Sequence, residues 1–204
     1  MTGHYNDKDK DYADDYFAKR LEAHMGVFRR ITSDREFMGN IMEIGDKIIN
    51  SLENGGGIYL CGNGGSAADA QHIAAEFVSR FYKERPGMNA EALSVNTSIL
   101  TAIGNDYEFD RIFARQLEAK AKSGDVLIGI STSGNSKNVL KALEYAKNNG
   151  ILAILLMGDF ERPELKAAAD YIVKVPSTDT PRIQEVHIFI GHVIAEYVEH
   201  RMFG

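Results

Sequence analysis

Apolar positions follow two rhythms along the chain, and the change from one to the other falls near residue 55. Before it the spacing is helical. Tyr16, Leu21, Met25 and Phe28 are the expected buried positions of a helix over residues 12–31, and Phe37, Ile41, Ile44, Ile48 and Leu52 recur at helical spacing in a second helix. Thr32 or Ser33 is the expected cap of that second helix, which stops at the breaker Asn54-Gly55-Gly56-Gly57. Residues 1–10 are polar and are expected to fray. After residue 57 the apolar residues come in short unbroken runs separated by helical stretches. Runs at 58–61, 91–95, 126–130, 151–156 and 171–175 read as strands, with helices expected near 67–82, 97–104, 109–122, 137–149, 163–169 and 182–201. Ile151-Leu152-Ala153-Ile154-Leu155-Leu156 shows no alternation, which marks a strand covered on both faces.

The expected fold is therefore α/β: a three-layer, doubly wound parallel sheet preceded by two N-terminal helices. The helical arm spans about 12–54 and the α/β core about 58–201, within a single domain over 1–204. Ligands of such sheets bind beyond the carboxyl ends of the strands. Helices placed ahead of a doubly wound sheet serve as packing arms, so this arm is expected to help build an oligomer.

Composition narrows the partners. With 44% hydrophobic and 25% charged residues the chain is that of an ordinary globular protein, and its net charge of −6 argues against nucleic acid, whose phosphates need a surplus of Lys and Arg. No apolar run approaches the length of a membrane span. The N-terminus is charged from Asp7 to Asp11 and lacks the apolar core of a signal peptide, and the lone Cys61 cannot form an intrachain disulfide; a cytoplasmic location is expected. At the end of a buried strand, Cys61 reads as a packed thiol and not as a nucleophile.

Two loops say nearly the same thing. Gly62-Asn63-Gly64-Gly65-Ser66 follows the first strand and opens an alanine-rich helix; Ser131-Thr132-Ser133-Gly134-Asn135-Ser136 follows the third and opens another. Each is a strand, a tight turn of small residues and a helix N-terminus, where backbone N–H groups and the helix dipole await an anion. Ser131, Thr132, Ser133 and Ser136 add hydroxyl donors without charge or bulk, so phosphate is the natural guest. The first loop formally fits a dinucleotide fingerprint, but Ser94-Val95-Asn96 stands where the acidic residue should close the next strand, and no Gly-Lys-Ser/Thr follows either loop. A small monophosphate fits better than a dinucleotide. One such loop alone is equally well an ordinary βα turn; the pair favours a ligand.

Two helices carry unusual polar faces. After the first loop, Ile73, Phe77 and Phe81 share one stripe while Asp69, His72, Glu76 and Arg80 fall opposite, with His72 and Glu76 four apart. Alone, that is a solvated face with a weak ion pair. In the last helix Ile183, Val186, Ile190, Ile194 and Tyr197 form the apolar stripe, and His187 lies within it as a satisfied core histidine. Gln184 and His192 lie off the stripe on one flank. If the two helices meet, His72, Glu76, Gln184 and His192 make a mixed N/O set suited to zinc or another divalent transition metal.

Taken together, these segments resemble the sugar isomerase (SIS) domain proteins and, within them, the phosphoheptose isomerases, which convert sedoheptulose 7-phosphate into a heptose 7-phosphate. The matching stretches are CGNGGSAADAQHIAAEFVSRF at 61–81, ERPGMNAEALSVNTSILTAIGNDYEFDRIF at 84–113, GDVLIGISTSGNSKNVLKAL at 124–143 and RIQEVHIFIGH at 182–192. The resemblance implies an aldose–ketose isomerase making D-glycero-D-manno-heptose 7-phosphate for activated-heptose synthesis. It implies that Ser131, Thr132, Ser133 and Ser136 hold the phosphate, and that Asn63, Gly64, Gly65 and Ser66, with Asn105, Asp106 and Gln184, contact the substrate. It further implies that His72, Glu76, Gln184 and His192 bind one Zn²⁺ per site, that Glu76 and His192 transfer protons, and that Arg80 reaches a site shared between subunits of a homotetramer. Many members carry Asp three residues before the Gln of RIQE, where this chain has Pro181, with Asp179 close by. Two other readings belong to the same fold. Some close relatives are non-catalytic regulators of replication initiation, but they change the HxxxE glutamate and the last histidine, both present here as Glu76 and His192. Other SIS enzymes act on other phosphosugars, which the HxxxE and RIQE…H pair disfavours.

Overall fold

The computed structural model describes the backbone of residues 7–204 and the side chains from residue 12 onward. Its centre is a five-stranded sheet, β1 (Ile58–Gly62), β2 (Ala90–Ala92), β3 (Val126–Ile130), β4 (Leu152–Gly158) and β5 (Tyr171–Val175), in the order β2-β1-β3-β4-β5 with every pairing parallel. The register sets Ile58 beside Val126 and Val126 beside Leu152, so the carboxyl ends of the three central strands lie along one edge.

Helices cover both faces. On one lie α1 (Asp7–Ser33), α2 (Arg35–Glu53), α3 (Gly65–Val78) and α8 (Thr180–Phe203), whose buried Ile44, Ile48, Phe77, Ile183 and Ile190 pack on Leu60, Ile128 and Ile154. On the other lie α4 (Thr97–Asp106), α5 (Ala114–Lys120), α6 (Lys137–Asn148) and the short α7 (Leu165–Ala168), whose Ile103, Leu117, Val139 and Leu143 meet Leu127, Ala153 and Leu155. Successive residues of β1, β3 and β4 thus serve opposite cores, which is why those strands read as unbroken apolar runs. The three-layer doubly wound sheet and its two leading helices are as expected.

Several details differ. The strand expected at 91–95 is Ala90–Ala92, and the helix expected near 109–122 is a 3₁₀ turn over Phe109–Arg111 followed by α5. The helix expected from residue 12 starts at Asp7, so residues 7–10 are helical, while residues 1–6 lie outside the described residues. Asp34, not Thr32 or Ser33, caps α2, its Oδ1 accepting the Phe37 N–H at 2.9 Å. The Thr32 and Ser33 hydroxyls bond back to the carbonyls of Arg29 and Arg30 and so finish α1. Tyr16, Leu21 and Met25 are exposed; Val27 and Ile31 are the buried positions of α1, because only its C-terminal turns lie over α2 and α8. Finally, α3 ends at Val78 instead of residue 82, for a reason given below.

Candidate functional site

β1 and β3 are neighbours, and the helices that follow them leave to opposite faces, α3 to one and α6 to the other. The two Ser/Gly loops therefore open side by side at the point where the winding reverses, the crevice where such sheets bind ligands. An amide clasp joins them. Asn63 Nδ2 donates to Asn138 Oδ1 and Asn138 Nδ2 donates to Asn63 Oδ1, each at 2.8 Å, with Asn138 buried.

The second loop is drawn in tightly. Buried Ser131 and half-buried Ser136 bring their Oγ atoms to 3.0 Å, and the Asn135 N–H donates to Ser133 Oγ at 3.3 Å. Ser136 stands at the N-cap of α6 but makes no capping bond to its own helix. That leaves the first-turn N–H groups uncapped by it, the condition that suits an anion. Gly134 is required in the turn: its φ is +65°, and a Cβ there would lie 2.7 Å from Met157 Cε. A cavity of about 410 Å³ lies against this helix start, lined by Asn63, Phe109, Asp110, Ser136, Lys137 and Asn138. The acidic side chains at its rim are paired, Lys141 Nζ standing 2.7 Å from Asp110 and 3.4 Å from Glu108, and the Lys141 hydrogen bond holds the Asp110 carboxyl below its usual range.

The two polar helix faces do meet. His72 Nε2 lies 3.0 Å from Glu76 Oε1 on α3 and 3.2 Å from His192 Nε2 on α8, with the rings edge-on at 4.9 Å. One ligand atom from each of the three lies within 4.8 Å of the others. Donors on a tetrahedral ion with bonds of about 2.0–2.1 Å are separated by roughly 3.3 Å, so two imidazole nitrogens and a carboxylate oxygen at these spacings fit zinc. Gln184 packs on Gly65 at the start of α3: a Cβ on that glycine would fall 2.5 Å from Gln184 Nε2. Gly64 is the N-cap of α3 with φ +56°, and Ser66 is buried in its first turn. Asn105 and Asp106 sit exposed at the end of α4, Asn105 Nδ2 donating to Asp106 Oδ1 at 2.9 Å. Arg80 is off the helix, exposed, with Glu84 at 3.4 Å. Asp179 is the N-cap residue of α8 but makes no side-chain capping bond, and Pro181 lies in the first turn. Cys61 is fully buried and burial pushes its thiol up, which makes it the packed thiol expected.

Sequence reasoning missed the ion pair beneath this site. Arg85 and Glu199 have side chains only 1% and 2% exposed and stand 3.0 Å apart. Glu199 also accepts the N–H groups of Phe81, Tyr82 and Lys83 at 3.0, 2.7 and 2.9 Å, while Arg85 donates to the carbonyls of Glu76 and Phe77, each at 2.8 Å. These bonds replace the helical ones and end α3 at Val78, which takes Arg80 and Phe81 off the faces expected for them. Burial pushes the Glu199 carboxyl up, but the three N–H groups and Arg85 together outweigh it and hold the carboxyl below its ordinary value. The available signal was a carboxylate beside Val198, on the buried side of α8. His187 also departs from expectation. It is fully buried, yet neither ring nitrogen has a hydrogen-bond partner among the described residues, and burial lowers its pKa to about 4 against a weaker opposing pull from the Met157 backbone.

Among the described residues no helix is long and apolar enough to cross a membrane. The SIS domain family model matches residues 25–158. The phosphoheptose isomerase of Aneurinibacillus thermoaerophilus is 51% identical over 189 residues, 93% of this chain and 95% of the relative. Phosphoheptose isomerase 2 of Campylobacter jejuni is 54% identical over 178 residues, 87% of this chain and 88% of the relative. The solved structure of a phosphoheptose isomerase from Francisella tularensis superposes with a TM-score of 0.86 at 32% identity, covering 92% of this chain and 98% of that one.

Proposed function

The chain belongs to the phosphoheptose isomerases of the SIS domain family, and we propose that it interconverts sedoheptulose 7-phosphate and D-glycero-D-manno-heptose 7-phosphate, supplying activated-heptose synthesis. The observation that carries this reading is the convergence of His72, Glu76 and His192 on the same face as the loop that opens α3, beside the hydroxyl-rich loop that opens α6.

Moving a carbonyl between neighbouring carbons needs a base, a group that carries the oxygen-bound proton, and positive charge where the oxyanion develops. Glu76 is the base that removes the proton from the carbon beside the carbonyl and returns it to the former carbonyl carbon. His192, across from it on α8, delivers and retrieves the proton on oxygen, and an enediolate lies between the two steps. Ser131, Thr132, Ser133 and Ser136 grip the phosphate with the first-turn N–H groups of α6. That remote grip fixes the reacting carbons between α3 and α8. Asn63, Gly64, Gly65, Ser66, Asn105 and Asp106 contact the sugar. The clustered donors His72, Glu76 and His192 suit a zinc ion, with Gln184, which packs at the start of α3, as the fourth ligand; when bound, the ion supplies Lewis-acid stabilisation of the developing oxyanion.

The active form in this reading is a cytoplasmic homotetramer with its sites between subunits. Tyr12, Tyr16, Phe17, Leu21 and Met25 are exposed along α1, and an apolar groove of about 360 Å³ between α1, α2 and α8 is lined by Phe28, Phe37, Met38, Met42 and Phe189. This apolar surface supports burial against other copies, and Arg80, exposed beyond the end of α3, reaches a neighbour's pocket in place of its surface contact with Glu84. The test is to incubate the purified, zinc-loaded protein with sedoheptulose 7-phosphate and follow the anomeric region by NMR. Aldose phosphate signals are expected; an unchanged spectrum, or turnover of another phosphosugar alone, sinks the assignment.

A further inference from the structure

We propose that Arg85 and Glu199 form a positioning clip that sets the distance between Glu76 and His192, and that they shape the reaction through that distance beyond holding the fold together. The inference rests on the isomerase reading above. α3 carries His72 and Glu76, α8 carries His192, and among the described residues the clip is the one ion pair with both side chains buried, Glu199 on α8 and Arg85 just beyond α3 and bonded to its last turn. It grips α3 at the residue that matters. Arg85 Nη2 donates to the carbonyl of Glu76 itself and Nη1 to that of Phe77, each at 2.8 Å. Its Nε donates to Glu199 Oε2 at 3.0 Å, so one planar guanidinium ties the backbone of the base to the helix of its partner acid.

Glu199 holds the other half. Its Oε1 accepts from Tyr82 and Lys83 and its Oε2 from Phe81, so the chain turns out of α3 at a fixed point. The turn lays the Phe81 ring against His192, with centroids 5.8 Å apart. Glu199 is seven residues, about two turns, beyond His192 on α8. Both members of the acid–base pair are therefore indexed to one ion pair that touches neither reacting side chain. Four donors on one carboxylate and four acceptors around one guanidinium (Glu199 and the carbonyls of Glu76, Phe77 and Pro86) leave little play, so a shorter or neutral replacement has to shift α3 against α8.

Two variants test this. Arg85→Lys keeps the buried positive charge opposite Glu199, but a single ammonium cannot also span the carbonyls of Glu76 and Phe77. Glu199→Gln keeps the shape but turns an amide N–H₂ toward backbone donors. Each is assayed where circular dichroism shows it folded, first for zinc affinity by chelator competition and then for kcat and KM. Misplacing a catalytic group by about 1 Å costs about 10²-fold, so kcat is expected to fall about 10–100-fold, with KM nearly unchanged because the phosphate loop is held by β3 and α6. Zinc affinity is expected to weaken about tenfold or more, as when groups that orient metal ligands are removed. A lower melting temperature with wild-type kcat and zinc affinity overturns the proposal. So does a rise in KM alone. If the wild-type protein turns over no sedoheptulose 7-phosphate, the isomerase reading fails, and the zinc affinities of the same variants still decide the clip.

Discussion

Replacing His187 with Leu should change how stability depends on pH while leaving the site intact. His187 is fully buried in α8, neither ring nitrogen has a partner in hydrogen-bond geometry among the described residues, and burial lowers its pKa to about 4 against a weaker pull from the Met157 backbone. In the unfolded chain it titrates near 6.5. Between those values the unfolded state binds a proton that the native state refuses, so ν_U exceeds ν_N and stability falls as the pH drops. The window is about 2.5 pH units at about 1.4 kcal/mol each, so the imidazole should remove about 3 kcal/mol between about pH 7 and pH 4. Below about pH 4 the native histidine also protonates and the effect levels off. His187→Leu fills similar volume, has no site to protonate and removes two orphaned polar atoms. Urea unfolding of both proteins, at one protein concentration and several pH values, gives the comparison. Glu199 and the other acids act on both curves and cancel in the difference. The wild-type curve should fall away from the variant's by about 3 kcal/mol over that window. Parallel curves would show that His187 finds a partner or a proton in the fold, and would refute the reasoning.

Three further outcomes follow from the site. Glu76→Gln and His192→Gln should each lower turnover by about 10²–10⁴-fold in folded protein, with His192→Gln also binding zinc poorly; near-normal isomerisation by Glu76→Gln would remove it as the base. Ser133→Ala should raise KM about tenfold, since a hydrogen bond to a charged group contributes about 1.5–3 kcal/mol, and steady-state kinetics of the folded variant would show it. Light scattering of a dilute sample should give four times the chain mass; a stable, fully active monomer would contradict shared sites.

The sheet and the helix order were legible because β1, β3 and β4 each face two cores, and Ile151–Leu156 needs no partner information to announce that. The convergence of His72, Glu76 and His192 was legible only as a condition, since their spacing shows two matching faces but not that they touch. The end of α3 was not legible at all. Residues 79–82 continue the pattern of Ile73 and Phe77, and the bonds that stop the helix come from Glu199, more than a hundred residues away. Tyr16, Leu21 and Met25 misled for a related reason: periodicity marks an apolar face without saying what covers it. In Thr32-Ser33-Asp34 three capping residues stand in a row, and only the path of the chain shows which of them ends one helix and which begins the next.

The sheet order also governs how the chain can be made. β1 leaves the ribosome early, but one neighbour begins at Ala90 and the other only at Val126, with Leu60 paired to both Ala92 and Ile128. Until β3 emerges, Ile58, Leu60 and Cys61 are an apolar edge without a partner, and the growing chain has to carry that edge past more than sixty residues of later sequence. A fragment that ends between α3 and β3 keeps His72 and Glu76 without His192, and β1 without its β3 partner. Splitting or permuting the protein between α3 and β3 would therefore trade solubility for nothing, whereas a new terminus beyond β5 leaves the β1–β3 seam to close as it does now.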